Sequence, residues 1–449
     1  MSHEVCRECL SDHYLAGRFD FHLTGECRYC GELTLVVPVN EVVPICEEAL
    51  HAAFRYVEQS RHVIVHELDY VGDPLPVILD RMLECPERLR DDLAVALLNQ
   101  WEEWGDDDPC FLEQTYATPE MTSDWAKMER SLHAEARFVN PDAARILEKV
   151  FGSIGQLQTV DSTSAIMGIG PGQPMDSLQR ARVFENEGAV GQALKHPERH
   201  LGPPPAGVSK AGRMNAQGVA VFYGATDELT AIAEVRPPVG SPVVTSVFNI
   251  IRPLRLLNLA ALSDIRPDPE LSYFDPARVE QAQRCGFLTE LQTKLLVPVM
   301  PGLEEQGYLI TQVIADFLST HPALLLDGIF FPSIQVSNHA GVIPGHNVIL
   351  FSKSCGLLKQ ESKYEIEDVS LWEHDEDGAL FRQEIWPGQL KERRRRRKDE
   401  QFVARSQSQC LHDPALELER KRIRIHRVRG AIYDASVHDV ELHGNREMN

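Results

Sequence analysis

A chain of 449 residues, 43% of them apolar, is long enough for about three domains of ordinary size and apolar enough to give each a core. Its 67 acidic against 45 basic residues, a formal charge of −22, argue against general nucleic-acid binding, which needs a basic face. No signal-type apolar core opens the chain, and no run approaches the ~18 apolar residues of a membrane span. The expectation is therefore a soluble, cytoplasmic protein without a membrane partner, whose ten cysteines serve as metal ligands and buried thiols rather than disulfides.

The N-terminus carries the most specific local motif. Cys6-Arg-Glu-Cys9 and Cys27-Arg-Tyr-Cys30 are two C-x2-C knuckles separated by 17 residues, the spacing of a four-cysteine zinc ribbon. A two-residue gap lets both thiolates of a knuckle reach one ion, and four thiolates leave no open coordination position, so residues 1–40 are expected to hold a structural Zn2+. The apolar run after Glu32 is expected to complete the ribbon as a strand.

Over 41–152 apolar residues recur at helical intervals in 47–57, 76–83, 86–104 and 121–150, with Gly, Pro and Asp breaks such as Gly105 to Pro109. This predicts a helical domain with Cys46, Cys85 and Cys110 as small buried hydrophobes. Residues 153–175 have the Gly, Ser, Thr and Pro content of a linker.

A strand is expected over 178–184, with Arg180 and Arg182 on one face because side chains alternate; two arginines on one face suggest an anion, against the plainer reading of a solvated edge. A Gly- and Pro-rich loop then runs to Arg213. Residues 219–223 read as a strand, Gly224 as a turn, and Asp227 as the N-cap of a short helix whose apolar sequence is broken by Glu234. A carboxylate within Ala-Ile-Ala-Glu-Val is costly to bury alone, so Glu234 is expected to need a partner. Strands follow at 243–250 and 254–259, then helices at 277–296 and 304–318. In the last, Leu309, Val313, Ile314 and Phe317 form the expected buried stripe, with Thr311 beside it. Strands at 324–331 and 347–352 complete a mixed sheet, with Ser333 just beyond the first and Asn347 opening the second. Residues 356–449 read as a charged C-terminal region, where the basic run 393–398 is either solvated or a contact for nucleic acid or an acidic partner. No P-loop or G-x-G-x-x-G occurs, which argues against a Rossmann dehydrogenase.

Taken in order, LQRARVF at 178–184, G-R-M-N at 212–215, V-F-Y-G-A at 221–225, A-E-V at 233–235, DGIFFPS at 327–333 and GHNVILF at 345–351 resemble the core of the RES domain family. The resemblance implies an α+β, mixed-sheet domain at 176–355 similar to ADP-ribosyltransferases, and cleavage of NAD at the nicotinamide–ribose bond. By this resemblance the catalytic set is Glu234, Arg180, Tyr223 and Ser333, with Arg182 the alternative to Arg180, and Arg213, Asn347 and Thr311 as further substrate contacts. It also implies a toxin or defence effector that depletes NAD, with a possible antitoxin or regulatory protein as partner, and water, inorganic phosphate or a macromolecule as acceptor. The helical segment resembles the HEPN-type domain found ahead of RES domains, whose ribonuclease members pair an Arg and a His on one helix; Arg55 and His62 have that spacing. Rival readings are a non-enzymatic zinc-dependent sensor or nucleic-acid adaptor, and a HEPN ribonuclease.

Overall fold

In a computed structural model of the chain, the structure describes residues 3–57, 72–101, 110–113, 118–297, 307–335, 345–358, 364–371, 373–375, 378–380, 384–390 and 413–431. Two compact units are formed, neither continuous in sequence. The first joins Met1–Ala165 to Ala260–Val297, and the second joins Ile166–Leu259 to Pro298–Asn449. No helix among the described residues is long and apolar enough to cross a membrane.

The first unit begins with three antiparallel strands, Glu4–Cys6, Leu33–Pro38 and Leu23–Glu26, with Leu33–Pro38 in the centre. The expected ribbon strand thus forms where the apolar run predicts it. Its buried residues Val5, Leu10, Leu15 and Val36 belong to the same core as Val42, Leu50, Leu79 and Leu93 of the helices that follow, so the ribbon has no separate core. Those helices are Val39–Ala53, Leu75–Met82, Glu87–Gln100, Pro119–Ala134 and Pro141–Phe151. The expectation of a purely helical 41–152 is corrected by a small sheet of Phe54–Val57, Cys110–Glu113 and Asp73–Pro74.

The helix Pro276–Leu296, expected inside the second domain, packs in the first unit instead. Phe287 lies against Trp125 with ring centroids 5.3 Å apart, and Phe54 stacks on Tyr273 at 5.4 Å. The buried Arg278 explains the attachment. Its guanidinium bonds Glu113 at 2.9 Å and lies 3.9 Å from the Tyr273 ring centroid, while the Asp268 and Leu271 carbonyls accept from its other terminal nitrogen. A buried cation satisfied in this way holds its segment in place, because removing any partner would leave charge uncompensated.

The second unit is built on an eight-stranded sheet: β1 (Ile166–Ile169), β2 (Ser177–Val183), β3 (Phe222–Ala225), β4 (Pro242–Ile250), β5 (Leu254–Asn258), β6 (Gly328–Pro332), β7 (His346–Leu350) and β8 (Leu416–Arg427). The spatial order is β8-β4-β2-β3-β7-β6-β5-β1, antiparallel except for the β5–β6 pair. Helices α1 (Glu187–Lys195), α2 (Glu228–Glu234) and α3 (Leu309–Thr320) complete the elements that matter for the site. Gly328 of β6 is required by close approach, since a Cβ there would stand 2.0 Å from the carbonyl oxygen of Ile349.

The sheet draws on more chain than 176–355. β1 comes from the expected linker, and β8 from the expected charged tail. β8 reads LELE then RIRI, and a register shift opposite Thr245 to Val247 reverses its alternation. Leu416 and Leu418, and also Ile423 and Ile425, therefore face the same core. The two faces of the sheet differ. One carries the large core of Leu178, Phe184, Phe222, Phe248, Phe330 and Val348. The other receives α2, whose Ala231 packs over the small strand residues Ala181 and Ala225.

Candidate active site

Helix α2 exists because Asp227 caps it and two prolines end it. The Asp227 carboxylate accepts from the Thr230 amide at 2.8 Å, as the N-cap expectation required. At the other end Arg236 adopts φ +43, its amide returns to the Ala233 carbonyl, and Pro237-Pro238 cannot continue the helix. Glu234 is thus the last helical residue, where the negative end of the helix dipole disfavours a carboxylate. Two donors from distant strands offset this. The Ser333 hydroxyl donates to Glu234 Oε1 at 2.6 Å and the Asn347 amide donates to the same oxygen at 2.7 Å.

Glu234 thus has the partners its apolar sequence context called for, yet its residue is exposed, while Ser333 and Asn347 are 5% and 7% exposed. The carboxylate is therefore reachable from outside while being held from inside. Two short bonds from buried donors fix its position.

Tyr223 lies on β3, and the strand's alternation puts it with Ala225 on the face that α2 covers, opposite to Phe222. Its hydroxyl donates to Asn215 Oδ1 at 2.8 Å and accepts from the Met214 amide at 3.1 Å. Burial raises its pKa to about 12, against the lowering effect of the Met214 amide, so it is a neutral phenol. Arg213, one residue before that amide, is in electrostatic reach of Tyr308, Glu234 and Tyr223. Burial lowers its pKa, and those three groups oppose the lowering. Arg213, Tyr223, Glu234, Ser333 and Asn347 thus form one group.

Arg180 and Arg182 are not in it. On β2 the residues Leu178, Arg180, Arg182 and Phe184 share the large-core face, whereas Ala181 faces α2. The Arg180 guanidinium lies 5.0 Å from the Phe222 ring centroid and donates to the Tyr223 carbonyl at 2.9 Å, and its Nε is buried without a hydrogen-bond partner among the described residues. Burial first, and the neighbouring Arg182 second, bring its pKa down to about 10. Arg182 is exposed, bonds the His200 carbonyl and lies 5.6 Å from the Phe184 ring centroid. Both arginines were correctly placed on one strand face, but it is the face away from Glu234. Arg213, by contrast, is within electrostatic reach of the carboxylate.

Thr311 differs too. It is buried, and its hydroxyl donates to the Arg213 carbonyl, not outward. Asn215 was quoted only as part of a motif. It is 1% exposed, and its amide bonds the carbonyls of Lys210, Ala216 and Val219, so it ties together the loop that carries Arg213. Gln312 stands beside the expected stripe without an assigned role, and Tyr308 carries no sequence signal.

The four cysteines of the ribbon converge as expected. Their sulfurs all lie within 4.8 Å of one another, with Cys6–Cys30 at 3.8 Å and Cys9–Cys27 at 3.7 Å. Four thiolates ~2.3 Å from a central ion stand ~3.8 Å apart along the edges of a tetrahedron, so the cluster fits a metal ion with no open position. Without metal, burial would raise the Cys27 thiol but the amides of Tyr29, Cys30 and Cys6 outweigh it and bring it to about 7, whereas burial raises Cys6 and Cys9, so metal binding has to displace protons from the cluster. The HEPN pairing is not supported. Arg55 stands on the strand Phe54–Val57, not on a helix, and His62 and the basic run 393–398 lie outside the described residues.

Residues 180–371 match the family model of the RES domain. The match contains Arg213, Tyr223, Glu234, Ser333 and Asn347, and leaves out β1, β8 and the cysteine cluster. No curated protein and no solved structure matches the chain.

Proposed function

We propose that the chain cleaves NAD at the nicotinamide–ribose bond, with water or inorganic phosphate as acceptor, in an ADP-ribosyltransferase-like second unit. The observation that carries this reading is the exposed Glu234 carboxylate, fixed by the buried Ser333 and Asn347 beside Arg213 and Tyr223, within the segment that matches the RES domain. Nicotinamide in NAD is cationic and departs neutral, taking the electron pair of the C1′–N1 bond, so no acid is needed. The protein must instead stabilise the cationic ribosyl group and position its acceptor.

Glu234 is the group for that charge, with its free oxygen toward the ribose. Arg213 takes the diphosphate through its planar fork, a role the strand arginines Arg180 and Arg182 do not fit because they face away. Tyr223, with its hydroxyl occupied by Asn215 and Met214, supplies an oriented ring rather than a proton. Ser333 and Asn347 hold Glu234 and need not touch substrate. The cysteine cluster holds one Zn2+ as a structural ion; the metal, when bound, supplies folding free energy and no chemistry.

This chemistry suits a cytoplasmic toxin or defence effector that depletes NAD under the control of an antitoxin or other regulatory protein. Incubating purified full-length protein with NAD, with and without phosphate, tests it. Nicotinamide with ADP-ribose identifies a glycohydrolase, nicotinamide with ADP-ribose 1″-phosphate a phosphorylase, and labelled macromolecule a transferase. Intact NAD under all conditions would refute the reading and favour a non-enzymatic sensor or adaptor.

A further inference from the structure

The loop bearing Arg213 is gripped from one turn of a helix about a hundred residues downstream. In α3 the Thr311 hydroxyl donates to the carbonyl of Arg213, and the Gln312 side-chain amide donates to the carbonyl of Gly212 at 2.9 Å. Two consecutive carbonyls, one on each side of the Arg213 nitrogen, are thus fixed by two consecutive side chains. The opposite side of the loop is equally constrained. A Cβ on Gly212 would stand 2.6 Å from both the Tyr223 hydroxyl and Asn215 Oδ1, and the Gly212 amide bonds the Asn215 carbonyl at 3.0 Å. The backbone at 212–214 has no room to move toward β3, and α3 stops it moving away.

These bonds explain an oddity of α3. A helix with Leu309, Ile314, Ala315 and Leu318 buried also buries Thr311, a polar residue that an apolar side chain would replace if packing alone were at stake. Thr311 does not need the Arg213 carbonyl to be satisfied, since its hydroxyl also has the Tyr308 carbonyl at 3.0 Å, one turn back. With one proton to give, the hydroxyl bonds the loop in place of, or shared with, that intrahelical carbonyl. Gln312, only partly buried, reaches the adjacent carbonyl.

We propose that Thr311 and Gln312 are positioning residues for Arg213, setting where its guanidinium stands relative to Glu234 and Tyr223, and so controlling affinity for the diphosphate of the substrate. The inference rests on the NAD-cleaving reading. An arginine that anchors diphosphate equally in ground and transition states affects KM rather than kcat. Loosening it through its backbone therefore does the same, whereas a loss of folded protein lowers the apparent kcat and leaves KM alone.

The test is steady-state nicotinamide release from NAD by full-length protein carrying Thr311→Val, Gln312→Met or both, with Thr311→Ser as the conservative control. The double variant is expected to raise KM by about tenfold, the scale of a lost hydrogen bond or two, with kcat within about threefold of wild type. Thr311→Ser should keep the wild-type KM. In an Arg213→Ala background, Thr311→Val should add no further increase in KM, because residues acting through one another are not additive. Unchanged KM in both single variants and the double, or a KM effect of Thr311→Val that persists at full size without Arg213, overturns the inference while wild-type turnover stands. Wild-type protein that leaves NAD intact overturns the functional reading and this inference together.

Discussion

Replacing Glu234 by Gln separates the charge of the carboxylate from its shape. Both donors, Ser333 at 2.6 Å and Asn347 at 2.7 Å, converge on a single oxygen, and the side-chain carbonyl of Gln can accept both while its NH2 points to the exposed side. Glu234 is exposed and Gln keeps both of its bonds, so the substitution should shift the midpoint of thermal unfolding by no more than about 2 °C, the scale of a surface change. What disappears is one preorganised negative charge beside a developing cation. Removing one such electrostatic element from an active site lowers kcat by about 10²–10³-fold, or roughly 3–4 kcal/mol. KM should change far less, since the diphosphate is held elsewhere. Glu234→Ala behaves differently, because it also leaves two buried donors unsatisfied and should destabilise the fold by about 1–3 kcal/mol. Nicotinamide release by chromatography, alongside a thermal melt, measures both quantities on the same preparation. A Gln variant that keeps a tenth or more of wild-type kcat would remove Glu234 from charge stabilisation. One that has lost its melting transition would show that the carboxylate is needed to fold.

Arg213→Ala should raise KM for NAD by about 10–100-fold at nearly constant stability; Arg180→Ala should leave the KM of the folded fraction unchanged but destabilise by about 2 kcal/mol through the lost Phe222 contact and the bond to the Tyr223 carbonyl. The reverse pattern would restore the strand arginine to the site. Glu228 at the start of α2 accepts from Thr245 at 2.6 Å and from Arg424 at 2.8 Å, with His426 at 3.2 Å; burial raises its pKa, but these partners outweigh burial and lower it below the ordinary 4.5. A depressed carboxylate stabilises the fold above its unfolded pKa and loses that contribution as pH falls through the lower folded value, so Glu228→Gln should cost about 1 kcal/mol at pH 7 and nothing in strong acid. A pH-independent difference between the two melts would contradict this. Cys27→Ser should reduce bound zinc well below one equivalent and, because the ribbon shares its core with the neighbouring helices, broaden or lower the unfolding of the whole first unit rather than of residues 1–40 alone; an unchanged melt with zinc gone would show the metal to be dispensable.

Local signals were readable in the sequence where one short segment fixes the outcome. The C-x2-C knuckles, the Asp227 cap, the β4 and β5 strands and the helix ending at Leu296 all depend on neighbours within a few residues, and all stand where their patterns put them. Membership of a sheet or core does not depend on neighbours in that way. β8 lies in a stretch whose charge suggests a solvated tail, yet Leu416 and Leu418 are buried, and Arg420 pairs with Glu198 while Arg424 pairs with Glu228. Its alternation is broken by the shift opposite Thr245, which hides a strand from any period-two reading. Nor does the helix Pro276–Leu296 show in its own sequence that Trp125, rather than the sheet, receives Phe287.

The two arginine positions show where periodicity stops being informative. Alternation correctly assigns Arg180 and Arg182 to one face of β2, but nothing within a strand says which face meets a helix that follows forty residues later. That is decided by the size of the side chains: Ala181 and Ala225 make a shallow surface that admits α2 through its own Ala231, while Phe184, Phe222 and Phe248 fill the other side. An arginine among those aromatic rings keeps its stem and plane in contact with them and its pKa falls, which marks a structural cation. An arginine on a loop tied down by Asn215, the Tyr223 hydroxyl and α3 keeps its charge within electrostatic reach of Glu234. Small residues on a strand pair therefore identify the face that carries the carboxylate helix, and the cation of the site is to be sought on that face even when another arginine lies nearer to the strand in sequence.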